Sequence, residues 1–231
     1  MTKHRARGSA EHYQSRVYKM LRVWQKRLLD NNQPEIYEFA EAGAHTLDLG
    51  VGIWEISLVG GGGGGAGAMQ RYLNRFTWGD GGVGGTLRVR IKVPTKKTIT
   101  INVADSSTSR YFESSYGNAE QGKDTTITGL DDVVLVAGGG TAGSILQSEI
   151  QPVPGIIGTN TATGSNLISI IENNPITIVS KSGTTQRTTS QTVNSNWPEN
   201  TSCGAGGAVY PRTSPRLIDG GIGFVRLVKI N

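Results

Sequence analysis

The side chains best suited to acid–base work at neutral pH are the three histidines His4, His12 and His45, and none follows residue 45. A serine–histidine–aspartate arrangement would have to use His45, and no nucleophile-elbow sequence accompanies it. Asp131-Asp132 is a paired carboxylate at a strand entry, where a turn role suits it better than catalysis. Spacing alone cannot speak to glycoside hydrolysis, because that chemistry needs only two carboxylates close in space. Ile53-Trp54-Glu55-Ile56-Ser57-Leu58-Val59, then six glycines, then Ala66-Gly67-Ala68-Met69-Gln70-Arg71 imitates a strand, a GxGxxG turn and a helix. A dinucleotide site needs that order to lay a pyrophosphate on the helix N-terminus. Polyglycine satisfies the pattern trivially, no helix–strand alternation follows, and Asp80, the candidate ribose contact, sits in a second glycine clump. The single cysteine, Cys203, can form neither an internal disulfide nor a metal cage. The expectation is a protein that is not an enzyme and has no cofactor and no metal.

The aromatic residues carry a different chemistry. Tyr72, Phe76 and Trp78 lie between the first two glycine clumps. Tyr111, Phe112 and Tyr116 lie in a polar loop, 106–118, and Trp197 and Tyr210 flank the fourth clump. Tyr and Trp among Ser, Asn and Gly make rigid amphipathic contacts at low entropic cost, the composition of binding loops. Tyr72, Trp78, Tyr111, Phe112, Tyr116, Trp197 and Tyr210 are therefore the candidate receptor-binding residues. The competing reading is that half or more of them anchor loops onto the fold.

Two units must position these residues: a helical arm, 1–33, and a glycine-rich β domain, 34–231. From Ser9 to about Asp30 there is no Gly or Pro, and Val17, Leu21, Trp24 and Leu28 follow the 4-3-4 spacing of one helical stripe. Pro34 biases Gln33 away from helical backbone and ends the run. Residues 1–30 hold eight basic and two acidic side chains, a net +6. The other 201 residues hold 15 basic and 16 acidic ones, a net −1. The arm's charge, including Arg16, Arg22 and Lys26, fits a docking surface on an acidic protein or nucleic acid. A solvated helix face is the plainer alternative. So short a stripe buries better in a bundle, so a homotrimer is expected. No apolar run is long enough to span a membrane, and no secretory h-region is visible.

The rest reads as ten short strands: 37–40, 53–59, 86–93, 98–103, 125–128, 133–137, 167–171, 176–180, 188–193 and 224–230. Thr86-Leu87-Arg88-Val89-Arg90-Ile91-Lys92-Val93 alternates polar and apolar without a break, the pattern of a sheet with one wet face. Many short strands with turn-rich connections argue for a β-sandwich or jelly roll. Glycine makes up 33 of the 231 residues, in clumps at 60–65, 79–85, 138–143, 204–207 and 220–223. As flexible linkers they would cost more ordering entropy than any other residue. As polyproline-II segments they could pack backbone on backbone, leaving no room for a β-carbon at Gly62 or Gly63.

The order EISLVGGGGGGAGA, GGVGGTLRVRIKVPTKKTITINVA, VVLVAGGGTAG, GAGGAVY and GGIGFVRLVKIN resembles the glycine-rich domain of bacteriophage tail-fibre and adhesin proteins. It is also similar to the glycine-rich region of the anaplastic lymphoma kinase ectodomain. The resemblance covers about 36–231 and implies a jelly-roll-like sandwich with bundled glycine helices. Residues 144–200 depart from it, being poor in glycine, and imply a small bundle. Without visible disulfides or secretory leader, the receptor branch fits less well. The resemblance thus implies a phage virion protein made in the host cytoplasm, a fibre or adhesin component that binds the host-cell surface. Its ligand would be a surface polysaccharide or an outer-membrane protein, and its arm would dock on other virion proteins. A capsid decoration or fibre-anchoring subunit without a receptor role, or a non-viral glycine-rich surface protein, are the alternatives.

Overall fold

The structure, a computed structural model, describes residues 34–70, 75–112, 116–146, 151–174, 182–183, 204, 206–210 and 216–230. The arm helix with its stripe Val17, Leu21, Trp24 and Leu28 and its cations Arg16, Arg22 and Lys26 lies outside the described residues. So do Tyr72, Trp197, Cys203 and the strands expected at 176–180 and 188–193. No helix occurs among the described residues. The β unit spans Ile36–Ile230.

Its strands are β1 (Ile36–Phe39), β2 (Gly43–Leu49), β3 (Gly52–Val59), β4 (Ala66–Gln70), β5 (Arg75–Gly79), β6 (Thr86–Val93), β7 (Lys97–Val103), β8 (Arg110–Phe112), β9 (Gly117–Asn118) and β10 (Thr125–Leu130). They continue with β11 (Val133–Ala137), β12 (Ser144–Leu146), β13 (Gln151–Val153), β14 (Thr161–Thr163), β15 (Leu167–Asn173), β16 (Ser182–Gly183), β17 (Ala208–Tyr210), β18 (Arg216–Ile218) and β19 (Phe224–Ile230).

Two five-stranded sheets, ordered β1-β19-β3-β6-β15 and β14-β11-β10-β7-β2, make a sandwich. Alternation decides which faces meet. Leu87, Val89, Ile91 and Val93 of β6 are buried, while Arg88, Arg90 and Lys92 between them face outward. Trp54, Ile56 and Leu58 of β3 and Val225 and Leu227 of β19 join them against Ile99 and Ile101 of β7, Ile127 of β10 and Leu135 of β11. Burying a Leu or Ile side chain is worth about 1.5–3 kcal/mol, so this core is the sandwich's main source of stability. Pro94 in the β6–β7 link carries the chain from one sheet to the other. Asp131 and Asp132 form the β10–β11 turn: Asp131 adopts φ 55°, and the Asp132 carboxylate accepts Ser165 N–H at 2.7 Å. In the second sheet β7, β10, β11 and β14 follow one another as a meander. The first and last strands, β1 and β19, lie side by side in the first.

The glycine clumps are packed structure. Along 60–65 successive N–H groups point in different directions, and the direction repeats every three residues. Gly60 and Gly63 donate to Gly85 and Gly82, and Gly61 and Gly64 donate to Lys123 and Glu120. Gly62 donates to Gly221, and Gly65 donates to the Ser109 hydroxyl. Three residues per turn with no internal hydrogen bonds is polyproline-II geometry. The same period runs through the neighbours: Gly81 and Gly84 donate to Gly207 and Gly204, Gly82 and Gly85 to Thr141 and Gly138.

Six segments surround 60–65 and bond to it: 80–85, 138–143, 119–124, 104–110, 219–223 and the one that contains Gly204 and Gly207. Adjacent members of that ring bond to each other, so the cross-section is a filled hexagon. An eighth segment, 154–160, lies in the notch between 80–85 and 138–143, with Gly155 and Gly158 donating to Asp80 and Val83. The bundle is therefore larger than the glycine clumps announce, correcting the small bundle expected from residues 144–200. Ring segments face the centre with only part of their turn, and the eighth does not face it at all, so 104–109 and 154–160 join while carrying Ser, Thr, Pro and Ile. At the centre no such latitude exists. A β-carbon on Gly60 would fall on the Gly138 carbonyl, on Gly63 on that of Thr141, and on Gly81 on that of Gly63.

Candidate functional site

Among the described residues, four segments leave the sandwich through this bundle and four return. Each round trip is capped by a pair of short strands: β4 and β5, β8 and β9, β12 and β13, β17 and β18. β4 pairs with β5 on one side and with β8, in parallel, on the other, and β16 extends β5. β9 pairs with β12, and β12 with β13. All four excursions thus end in one cap. Six residues at about 3.1 Å each hold it about 19 Å from the sandwich. The cap has its own small core, Ala66, Ala68, Ala119 and Ile145, with Phe112 and Ala142 packed against it.

The strand, polyglycine, helix order of a nucleotide site does not form, because polyglycine runs into the strand β4. His45 lies on β2 in the sandwich, its Nε2 2.8 Å from the Glu41 carbonyl and its ring beside Phe39. No helix among the described residues is long and apolar enough to cross a membrane.

The described aromatic candidates all fall on the cap, but they do not share one environment. Trp78 on β5 is 3% exposed and is withdrawn as a displayed residue. Its cross-strand partners are Gly67 and Gly183, and these bare positions let the indole sink into the sheet. Phe112 is half-buried over Gly117, where an added β-carbon would meet its ring at 2.8 Å, so it serves as an anchor. Tyr111 is half-buried opposite Gly67. Tyr116 is 51% exposed beside β9. Tyr210 ends β17, opposite Arg216. Around the second excursion the exposed Arg110 and Asn118 add a guanidinium and an amide that sequence reasoning passed over. Their only signal was membership of the polar run around Tyr111 and Tyr116. A phenol, an amide and a guanidinium together offer ring faces and both senses of hydrogen bond.

Glu120 fastens this excursion at its root. Its carboxylate accepts Thr108 N–H at 3.0 Å, and its own N–H donates to the Thr108 carbonyl. The Thr108 hydrogen bonds hold its pKa below the ordinary glutamate value of 4.5, with smaller help from Lys123 and Arg110. A depressed carboxylate contributes stability that is present above its unfolded pKa and lost as pH falls through the folded one. NMR titration should place the Glu120 midpoint below 4.5. Glu120→Gln should flatten the acid-side fall in melting temperature, and an unchanged pH profile would contradict the clasp.

Residues 40–228 match the model of the glycine-rich domain family. No curated protein matches the chain. The match covers most of the sequence, and the strand, glycine segment and cap order found in the fold is the feature that spreads across it: the chain belongs to the glycine-rich domain family.

Proposed function

We propose that this is a bacteriophage virion protein, a tail-fibre or adhesin component whose cap binds the host-cell surface. The observation that carries this reading is the convergence of four excursions on one end, held away from the sandwich by a bundle whose backbone bonds are spent internally. A rigid stalk bearing short strands and loop aromatics is suited to presentation, since its loops can vary without disturbing the core. Residues 1–33 act as the attachment arm in this reading, docking on other virion proteins by charge and by an apolar stripe, as one of three copies. A surface polysaccharide or an outer-membrane protein is the ligand.

Fluorescently labelled full-length protein should bind intact bacterial cells from a host panel. Tyr116→Ala with Asn118→Ala should reduce that binding about tenfold or more, the loss of about 1.4 kcal/mol, without moving the melting temperature. Binding that survives both substitutions would remove these two residues from the contact surface, and no binding to any cell in a panel that includes the host would favour a decoration or anchoring role.

A further inference from the structure

From β13 to β15 the chain stays on the outside of the β unit. Segment 154–160 is the eighth of the bundle, seated in its notch, and β14 and β15 are edge strands of the two sheets. Gly155 and Gly158 are buried, so the three-residue period turns Val153, Ile156 and Thr159 outward as one ridge, with Ile156 67% exposed. On β15 the register against β6 shifts twice, leaving Ile168 and Ile171 as the extra residues, and both are exposed. Ile170 pairs with the buried Val89 yet is itself exposed, because no further strand among those described covers this edge. Residues 150–171 hold no Asp, Glu, Lys or Arg, the longest such run in the chain, where its average of 18% would place about four. Surfaces that face water are rich in charge, and charge is depleted where a surface is buried against another protein. Exposed aliphatic side chains along an uncharged strip mark a contact surface.

We infer that this strip is covered by the same strip of a second copy of the chain, the two β units lying side by side. A surface that meets itself must be complementary to itself. Charge would set like against like there, whereas an uncharged aliphatic strip meets its own copy without that repulsion. The strip runs along both bundle and sandwich, about 19 Å for six bundle residues and about 23 Å for the seven residues of β15. The two sheet edges stand about 10 Å apart, and their side chains widen the strip to about 20 Å. Its area is about 800 Å², the share each partner gives to a stable contact. A partner that covers it must lie along the whole unit, and a second copy has that length. The bulges keep β15 from taking on another strand, so side chains make the contact. The inference does not depend on the roles proposed for the cap or for residues 1–33.

Sedimentation equilibrium and cross-linking of the full chain test it. The wild type should have at least twice the 24.6 kDa chain mass. An axis lying over the middle of the strip brings Ile156 near its own counterpart. In a Cys203→Ser background, Ile156→Cys should therefore cross-link between copies with a short bismaleimide. Ile168→Lys should reduce that product about tenfold or more while the circular dichroism spectrum stays that of the wild type. Thr159→Arg, at an exposed position of the same ridge, should do the same and serves if Ile168→Lys does not fold. An assembly held by residues 1–33 alone would keep its mass and give no such product. That result, a monomeric wild type, or a cross-link unmoved by the substitutions would overturn the inference.

Discussion

Gly63→Val should lower the melting temperature by about 10 °C or leave no folded protein, and Gly60→Val should do the same. The added β-carbons would fall on the carbonyls of Thr141 and Gly138. These are backbone atoms of neighbouring segments and have no rotamer to swing away. Relief requires the segments to separate, which breaks bonds such as Gly63 to Gly82 and Gly60 to Gly85. Overpacking alone costs about 1–3 kcal/mol, and each buried amide left without a partner adds about 1–3 kcal/mol. A loss of at least about 3 kcal/mol follows, which for a domain of this size is about 10 °C. Gly50→Ala is the matched control. Its β-carbon would meet only the Lys229 ammonium, at 3.5 Å, and its melting temperature should move little. Flexible linkers would behave in the opposite way, since a β-carbon there trims unfolded-state entropy and stabilises slightly. Unchanged or raised melting temperatures in both valine variants would sink the packed-glycine account.

Asn160→Ala should cost about 2–4 kcal/mol and lower the melting temperature by about 5–15 °C. Asn160 stands where the bundle joins the sandwich. Its Oδ1 accepts Gly138 N–H at 3.2 Å, and its Nδ2 faces the Thr86 carbonyl at 2.8 Å and the Asn173 and Asn174 amide oxygens at 2.9 Å. Two amide hydrogens serve three acceptors, so one bond is shared. Asn174 completes the clasp: its Oδ1 accepts Thr86 N–H, its Nδ2 donates to the Gly158 carbonyl, and its own backbone sits at φ 48°. That left-handed conformation is one asparagine tolerates better than most residues. Alanine at 160 would strand the Gly138 amide in a buried position. Asn160→Asp is the sharper comparison. It keeps the acceptor for Gly138 but turns a carboxylate toward three oxygens, so it too should destabilise. A melting temperature within about 2 °C of wild type for both variants would mean that the junction is held elsewhere.

Much of the sandwich was legible in the sequence, because alternation reports directly which face of a strand is wet. β6, β11 and β19 fall where the pattern puts them, and β1, β3, β7, β10 and β15 differ by only a residue or two at some ends. β2 escaped notice because it opens on Gly43 at φ 123° and mixes His, Thr and Asp into its alternation. The strands of the cap were illegible for a different reason. They are two to five residues long, and their pairing is set by the bundle beneath them, a non-local constraint that no short window contains. The glycine clumps announced the centre of the bundle but not its rim. Segment 104–109 has no glycine at all, and there Ser107 faces inward, its hydroxyl donating to the Gly62 carbonyl. Among the aromatic candidates, Trp78 and Tyr116 look alike as sequence. Their places in the fold separate them: Trp78 lies on β5, flanked by β4 and β16, while Tyr116 lies beside β9.

Amide hydrogen exchange at residues 60–65, followed residue by residue by NMR, tests the central claim most directly. Each of these amides has a distinct partner in the hexagonal bundle, from the Gly85 carbonyl for Gly60 to the Ser109 hydroxyl for Gly65. The segment lies at the centre of the bundle, so it should open only when the whole bundle opens. The account predicts that all six exchange as slowly as the core amides of β3 and β6. Exchange of this run at the rate of an unstructured glycine peptide, with β3 and β6 still protected, would contradict it.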